Sequence, residues 1–420
     1  MNLNWKKIGL LVGFFAAVIA VGYLLYFLFL RPAIPATPTT TTQNQAGAGS
    51  GLPSAGSGNN IPIGGQTGGT LSTGGRVEIP GPPTEPTNPA VSTVANGGLT
   101  QTVALTTIPA YQPTLASDGQ NAIYYDKTTG LFYQITPNGK SVPLSNEVFY
   151  QVQNITWAPS KQKAVLEYPD GSNIVYDFNA KKQVTLPTQW KDFSFSPSGD
   201  QLIFKSMGND PDNRWLAISS VDGSKATQLE NLGDKDATVY PVWSPNNQIV
   251  AMYTEEKSLD QKNLFFIGLN NENFQSITVD GLGFVPQWST QGDTLLYSVY
   301  SSNSDYKPTL WIVGAQGDSI GVNKKNLNLQ TWADKCSFAG NTTIYCAVPT
   351  SLQAGAGIYR ADLDNSPTDL YKIDLASGLR SRIAVPDKDV NISNIVVTNS
   401  QQTLYFTDTA TGQLFKINLK

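Results

Sequence analysis

Not one of the 420 residues is histidine. That removes Ser-His-Asp and Cys-His nucleophiles, imidazole acid–base chemistry and imidazole metal sites from what this chain can do by itself. Charge is scarce as well, at 14% of residues, and the net charge is −4. A basic excess is missing: residues 101–420 carry 24 basic and 30 acidic side chains. Phosphate backbones are bound by basic stripes, so nucleic acid is not an expected partner. Cysteine occurs only twice, at Cys336 and Cys346.

What the chain does have is unevenly spread. It holds 37 Gly and 26 Pro, with 8 Trp, 18 Tyr and 17 Phe, an aromatic content suited to strand-rich cores. Residues 8–30 form an unbroken apolar run. At about 1.5 Å per helical residue it spans a hydrocarbon core of about 30 Å. Residues 1–7, with Trp5, Lys6 and Lys7, read as a short cytoplasmic N-terminus. A cleaved signal peptide is the competing reading, but the run is longer than an ordinary apolar core and ends in bulky residues. The expected topology is a single-pass cell-membrane anchor with everything after it extracytoplasmic. Gly9, Gly13 and Ala17 share a spacing that lets two helices approach, so a homodimer through this helix is the weaker alternative to incidental spacing.

Residues 31–100 are rich in Pro, Thr, Gly and Ser and poor in side chains that offset the entropy of ordering. They read as a disordered linker of about 45 Å r.m.s. reach. The folded domain is then expected over 101–420.

Within it one pattern recurs. Phe193-Ser-Phe-Ser-Pro-Ser-Gly-Asp-Gln-Leu-Ile-Phe-Lys-Ser206 reads as strand, tight turn and antiparallel partner, with Pro197 and Gly199 shaping the turn. Related stretches place anchors at Leu115, Trp157, Phe195, Trp243, Trp288, Phe338 and Val397, separated by 38 to 59 residues. A period of about 40–50 residues with strand-like segments and no amphipathic helix is that of a propeller blade. The spacing predicts an all-β propeller of seven four-stranded blades, with six or eight left open where the widest spacing hides an insertion. The seventh unit ends after three strands, and Thr102-Val-Ala-Leu-Thr-Thr is the candidate for its fourth, closing the ring.

These repeats, Ser-Pro-Ser-Gly-Asp-Gln-Leu-Ile-Phe above all, resemble those of TolB-type, WD40-like propellers, which also form the propeller of prolyl oligopeptidase and dipeptidyl-peptidase relatives. The resemblance covers about 111–420. It implies a structural role for the matched residues: the aromatic packs between blades and Ser-Pro makes the turn. The sixth and seventh units lack the Pro. In the peptidase relatives the chemistry lies in an attached hydrolase domain, and no family catalytic residue maps onto this chain.

Cys336 and Cys346 frame a segment that folds as a symmetric hairpin about Asn341, setting the two opposite each other. Opposed strand residues have Cβ atoms about 4.5–5.5 Å apart, close to disulfide reach, so a bond or two buried thiols are both open. Other candidates are weak. Asp362-Leu-Asp-Asn-Ser-Pro-Thr-Asp369 has the oxygen spacing of a calcium loop without its Gly and closing Glu, and 209–213 is similar. Glu255 and Glu256 alternate on a strand end and cannot face each other. Asn154, Asn341 and Asn391 begin glycosylation sequons. No catalytic, cofactor or metal residue emerges.

Two functions follow. The first is a non-enzymatic protein-interaction or scaffold module of the cell envelope, its binding residues in the loops 205–214, 254–263 and 301–308. The second is a carbohydrate-binding, hydrolytic or lyase propeller with carboxylates or a metal at the central channel. Converging Asp, Glu or Arg at the channel mouth separates them.

Overall fold

The computed structural model describes residues 90–270 and 272–419. The expected cytoplasmic segment 1–7, membrane span 8–30, its small-residue stripe and most of the linker lie outside the described residues. Among those described, no helix is long and apolar enough to cross a membrane.

Seven antiparallel sheets occupy, in order, 111–143, 154–186, 190–231, 239–279, 282–326, 336–386 and 392–418. Six are built from four consecutive strands. The seventh takes its fourth strand from the start of the domain: Val103–Pro109 pairs antiparallel with Gln413–Asn418 and closes the ring. The protein is therefore a seven-bladed β-propeller. We number the blades 1 to 7 in that order.

Its core is not one mass. Seven buried apolar clusters each bridge two neighbouring blades, including one between blades 7 and 1 built from Ala110, Ala122, Tyr124, Ile135, Tyr405 and Leu414. A sheet facing neighbours on both sides must be apolar on both faces, and the second strands read that way: all five residues of Ala122–Asp126 are buried. The outer strands instead face solvent, as at Lys182–Leu186.

The repeat explains the turns. In blade 3 the Gly199 N–H donates to the Ser196 carbonyl, and the buried Ser196 hydroxyl accepts the Gln201 N–H at 3.1 Å. Ser244 and Ser289 repeat this to Ile249 and Thr294. Each turn needs a left-handed residue, filled by Gly199 at φ +74°, Asn247 at +63° and Gly292 at +73°. At Gly119 the demand is steric too, since an added Cβ would sit 2.0 Å from the Asn399 side chain of blade 7.

The anchors are structural. Phe195, Trp243, Trp288 and Val397 are buried, and Leu115, Trp157 and Phe338 are packed against the clusters. Trp288 reaches across to blade 4, its indole N–H donating to the Val242 carbonyl at 3.1 Å. Cys336 sits opposite Cys346, Phe338 opposite Ile344, and the two sulfurs are bonded.

One feature departs from the sequence reading, and one open point is settled. Leu99–Thr100 pairs in parallel with Arg380–Pro386, adding a fifth strand to blade 6, so the fold begins before residue 101. The stretch 90–100 is too polar and Gly-rich to announce a strand; an available edge recruits it. The 59-residue spacing also resolves: it holds an insertion, 350–367, with one short helix, α1 (Arg360–Leu363).

Candidate interaction face

In an up-and-down blade, the connections from second to third strand and from blade to blade emerge at one end of the ring. The first-to-second and third-to-fourth turns emerge at the other. The 350–367 insertion, the longest irregular segment, belongs to the first end. So do the loops 208–213, 259–260 and 301–308.

The sequence-predicted loops meet different fates there. In 205–214, Lys205 is a buried strand residue whose ammonium lies 2.8 Å from Asp192; the loop proper is 208–213 around the short 3-10 turn Pro211–Asn213. The 254–263 stretch is a long hairpin rather than a loop. Ala251–Ser258 and Gln261–Ile267 pair almost to the tip, where Leu259 is 94% exposed. The 301–308 segment does fold irregularly, around Ser302–Ser304.

Sequence reasoning did not single out the blade 6 insertion as a candidate surface. It is held on both sides. Toward blade 5, the Gly355 and Gly357 N–H groups donate to the Asp305 and Tyr306 carbonyls, each at 2.8 Å. Asp305 and Tyr306 are both left-handed, at φ 53° and 55°, an uncommon conformation for side-chain-bearing residues that these contacts sustain. Toward blade 7, Asp364 meets the ammonium of Lys335 at 2.8 Å, and Lys335 is 1% exposed. The same ammonium donates to the Asn391 side-chain oxygen, and the Asn391 amide donates back to the Asp364 carbonyl at 2.6 Å. Arg360 joins Asp364 to Asp334 and lies 4.5 Å over the Trp332 ring. Burial lowers the Lys335 pKa, and Asp364 only partly offsets it.

The insertion so fixed presents apolar side chains to solvent. Ile358 is 46% exposed, Tyr359 61%, and the neighbouring Tyr306 39%. Asp305 and Asp362 lie in the same loops as this patch, beside the Arg360–Asp334 pair.

The calcium-like segment sends its oxygens apart. Asp364 goes to Lys335 and Arg360, Ser366 to Thr350 and Ser351, and Asp369 to Arg382. Among the described residues no group of three or more acidic or thiol side chains is placed to hold a metal ion. Near the inner strands of blades 1 to 3 the polar groups form a relay. Gln112 donates to Asn154, Asn154 to Glu167 at 2.6 Å, and the Asp192 N–H to Glu167 at 3.4 Å. Burial raises the Glu167 pKa, and those hydrogen bonds oppose it. Asp408 accepts from the Asn391 and Thr411 N–H groups. The three sequon asparagines all use their side chains internally: Asn154 on Glu167, Asn341 on Asp293 and Asn391 on Asp364.

No known family profile and no curated protein matches this sequence. Solved structures do. Oligogalacturonate lyase in complex with manganese superposes with TM-score 0.50 at 12% identity, over 76% of this chain and 93% of that one. The Cps50 (Swd1) β-propeller domain of Myceliophteria thermophila gives 0.49 at 11%, over 76% and 100%. TolB from Acinetobacter baumannii gives 0.43 at 12%, over 64% and 65%. At such identities the likeness is one of fold.

Proposed function

We propose that this chain is a non-enzymatic protein-interaction module of the cell envelope. Residues 8–30 anchor it in the membrane with the N-terminus inside, the Pro/Thr/Gly/Ser-rich linker that follows acts as a spacer, and the propeller stands outside. The observation that carries the reading is the blade 6 insertion: a segment locked from two sides that leaves Tyr359, Ile358 and Tyr306 facing solvent. Locking lowers the entropy cost of binding, and aromatic anchors in a rigid surface are where interface energy concentrates. The partner this surface fits is a protein that presents an apolar side chain to Tyr359, Ile358 and Tyr306.

Three carboxylates of the same end serve structural contacts. Asp192, Asp364 and Asp408 are each engaged by an ammonium, guanidinium or backbone N–H group. The test is co-isolation from membranes with the full-length chain and an Ile358→Ser/Tyr359→Ser variant. Loss of a specific co-isolated protein, at unchanged melting temperature, is expected. Equal recovery by both proteins rejects the assignment of this patch.

A further inference from the structure

Blade 6 shows how this ring takes up an extended segment at its outer rim. The Gly97 N–H donates to the Ile383 carbonyl at 2.7 Å. The Val385 and Asp387 N–H groups donate to the Gly98 and Thr100 carbonyls, each at 2.9 Å, and Thr100 is wholly buried. A bulge shapes the receiving strand: Leu370 pairs with Ala384 but Tyr371 with Arg382, so Ile383 is skipped.

Blade 3 carries the same bulge at the same step. Leu216 pairs with Glu230 and Ala217 with Gln228, which skips Leu229. The fourth strands of blades 1, 2, 4 and 5 keep continuous register. Counted from the bulge, Leu229, Asn231 and Gly233 stand where Ile383, Val385 and Asp387 stand on blade 6. The Leu232 N–H donates inward to the Arg214 carbonyl at 2.8 Å, which turns its neighbours outward. Among the described residues, the Asn231 and Gly233 N–H groups have no hydrogen-bond partner. Blade 3 thus repeats the edge that holds a fifth strand on blade 6, without the strand.

A cleft of about 380 Å³ lies along this edge toward blade 4, with Leu229, Tyr253, Phe265 and Ile267 in its walls. The outer strand of blade 4, Ile277–Val279, pairs only with Lys262–Leu264 and leaves Phe265–Ile267 uncovered. The Tyr253 and Phe265 rings stack at 4.8 Å. Glu230, Glu255 and Glu272 line the cleft with one ammonium, that of Lys235, already paired with Glu255 at 3.3 Å. Burial first, then the Glu255 and Glu230 charges, raise the Tyr253 pKa, so both carboxylates stand near that phenol. A second copy offering this same edge would set carboxylates against carboxylates. We propose that the outer edge of blade 3 takes up an extended segment of a partner protein, parallel to Thr227–Asn231. A bulky apolar side chain of that segment enters the cleft, with Lys or Arg beside it. The site shares no residue with the blade 6 insertion, so either assignment can fail without the other.

The probe is an acetylated, amidated peptide of the 95–102 sequence carrying Leu99→Lys, Thr100→Phe and Gln101→Lys. Its control carries Thr100→Asp in place of Thr100→Phe. Each is titrated into the full-length chain, followed by fluorescence anisotropy and amide hydrogen exchange. The probe should bind with a Kd below about 1 mM and slow exchange of the Asn231 amide, while the control does neither. Asn231→Pro, which removes the outward N–H, should weaken binding at least about tenfold. Glu230→Lys changes an exposed side chain and leaves the sheet intact; it should weaken binding at least about threefold at unchanged melting temperature. Absence of binding overturns the proposal. So does binding that leaves the Asn231 amide exchanging freely, or equal binding by the parent and Glu230→Lys.

Discussion

Lys335 and Asp364 form an ion pair of 2.8 Å in which the lysine is almost wholly withdrawn from water. One partner precedes the first strand of blade 6 and the other ends the insertion, so the pair fastens the insertion to the ring. Removing Asp364 leaves the buried Lys335 ammonium without a counter-ion, whereas Arg360 would still face Asp364 if Lys335 were removed. Asp364→Ala should therefore cost about 3–5 kcal/mol, read as a lower urea midpoint. Lys335→Met/Asp364→Leu, which removes both charges, should recover most of that loss. A single variant as stable as the parent would show that the pair holds nothing.

The second relationship is the Cys336–Cys346 bond across the short hairpin. A closed loop of this length contributes about 2–3 kcal/mol by restricting the unfolded chain. Cys336→Ser/Cys346→Ser should lower stability by that order without changing the fold by circular dichroism. In the parent, thiol labelling under denaturing conditions should find no reactive cysteine until reductant is added. Immediate labelling of two thiols would contradict the bond.

Tyr297 is fully buried beneath blade 5, and its hydroxyl has no hydrogen-bond partner among the described residues. Burial first, and the Asp280 charge second, hold the phenol protonated well above its usual range. An unpaired buried hydroxyl costs about 1–3 kcal/mol. Tyr297→Phe should thus leave stability equal or higher, by up to about 1 kcal/mol. A marked loss of melting temperature would reveal a partner for that hydroxyl.

Turn carboxylates set the acid limit. The Ser172, Ser198 and Ser224 hydroxyls hold Asp170, Asp200 and Asp222 below the usual carboxylate range, and the Ser377 N–H does so for Asp374. A folded pKa below the unfolded one gives stability that is complete above the unfolded value. It is lost as pH falls through that value, about 3.9, toward the folded one. With no histidine to titrate, the melting temperature should be flat from about pH 6 to 8 and fall below about pH 4. A melting temperature that holds to pH 2.5 would contradict this.

The blade count and the ring closure were legible because both are written in local chemistry. Ser196, Ser244 and Ser289 recur at the same place in the turn, and Val103–Pro109 is apolar enough to read as a strand seeking an edge. The fifth strand on blade 6 was not legible, since Leu99–Thr100 owes its conformation to the edge of Arg380–Pro386. The 254–263 hairpin was read as a loop because Glu255, Glu256, Lys257 and Lys262 look solvated; Glu255 and Glu256 are exposed yet pair in register with Asn263 and Lys262, and Lys257 is the bulge before Ser258. The way the insertion is fastened was hidden for a third reason. Its Asp-rich end resembles a metal loop, while its actual counter-ion, Lys335, lies about one strand pair earlier in sequence and meets it only in the folded ring.

The central claim is that a protein partner docks on the insertion end of the ring. Its most direct test is site-specific photo-crosslinking of the full-length chain in the cells that make it. A benzophenone amino acid replaces Tyr359 or Tyr306 on that end, or Leu379, exposed in a turn at the opposite end, as the control. The account predicts a discrete adduct from positions 359 and 306 and none from 379. Adducts of equal yield from 379, or none from 359 and 306, would contradict it.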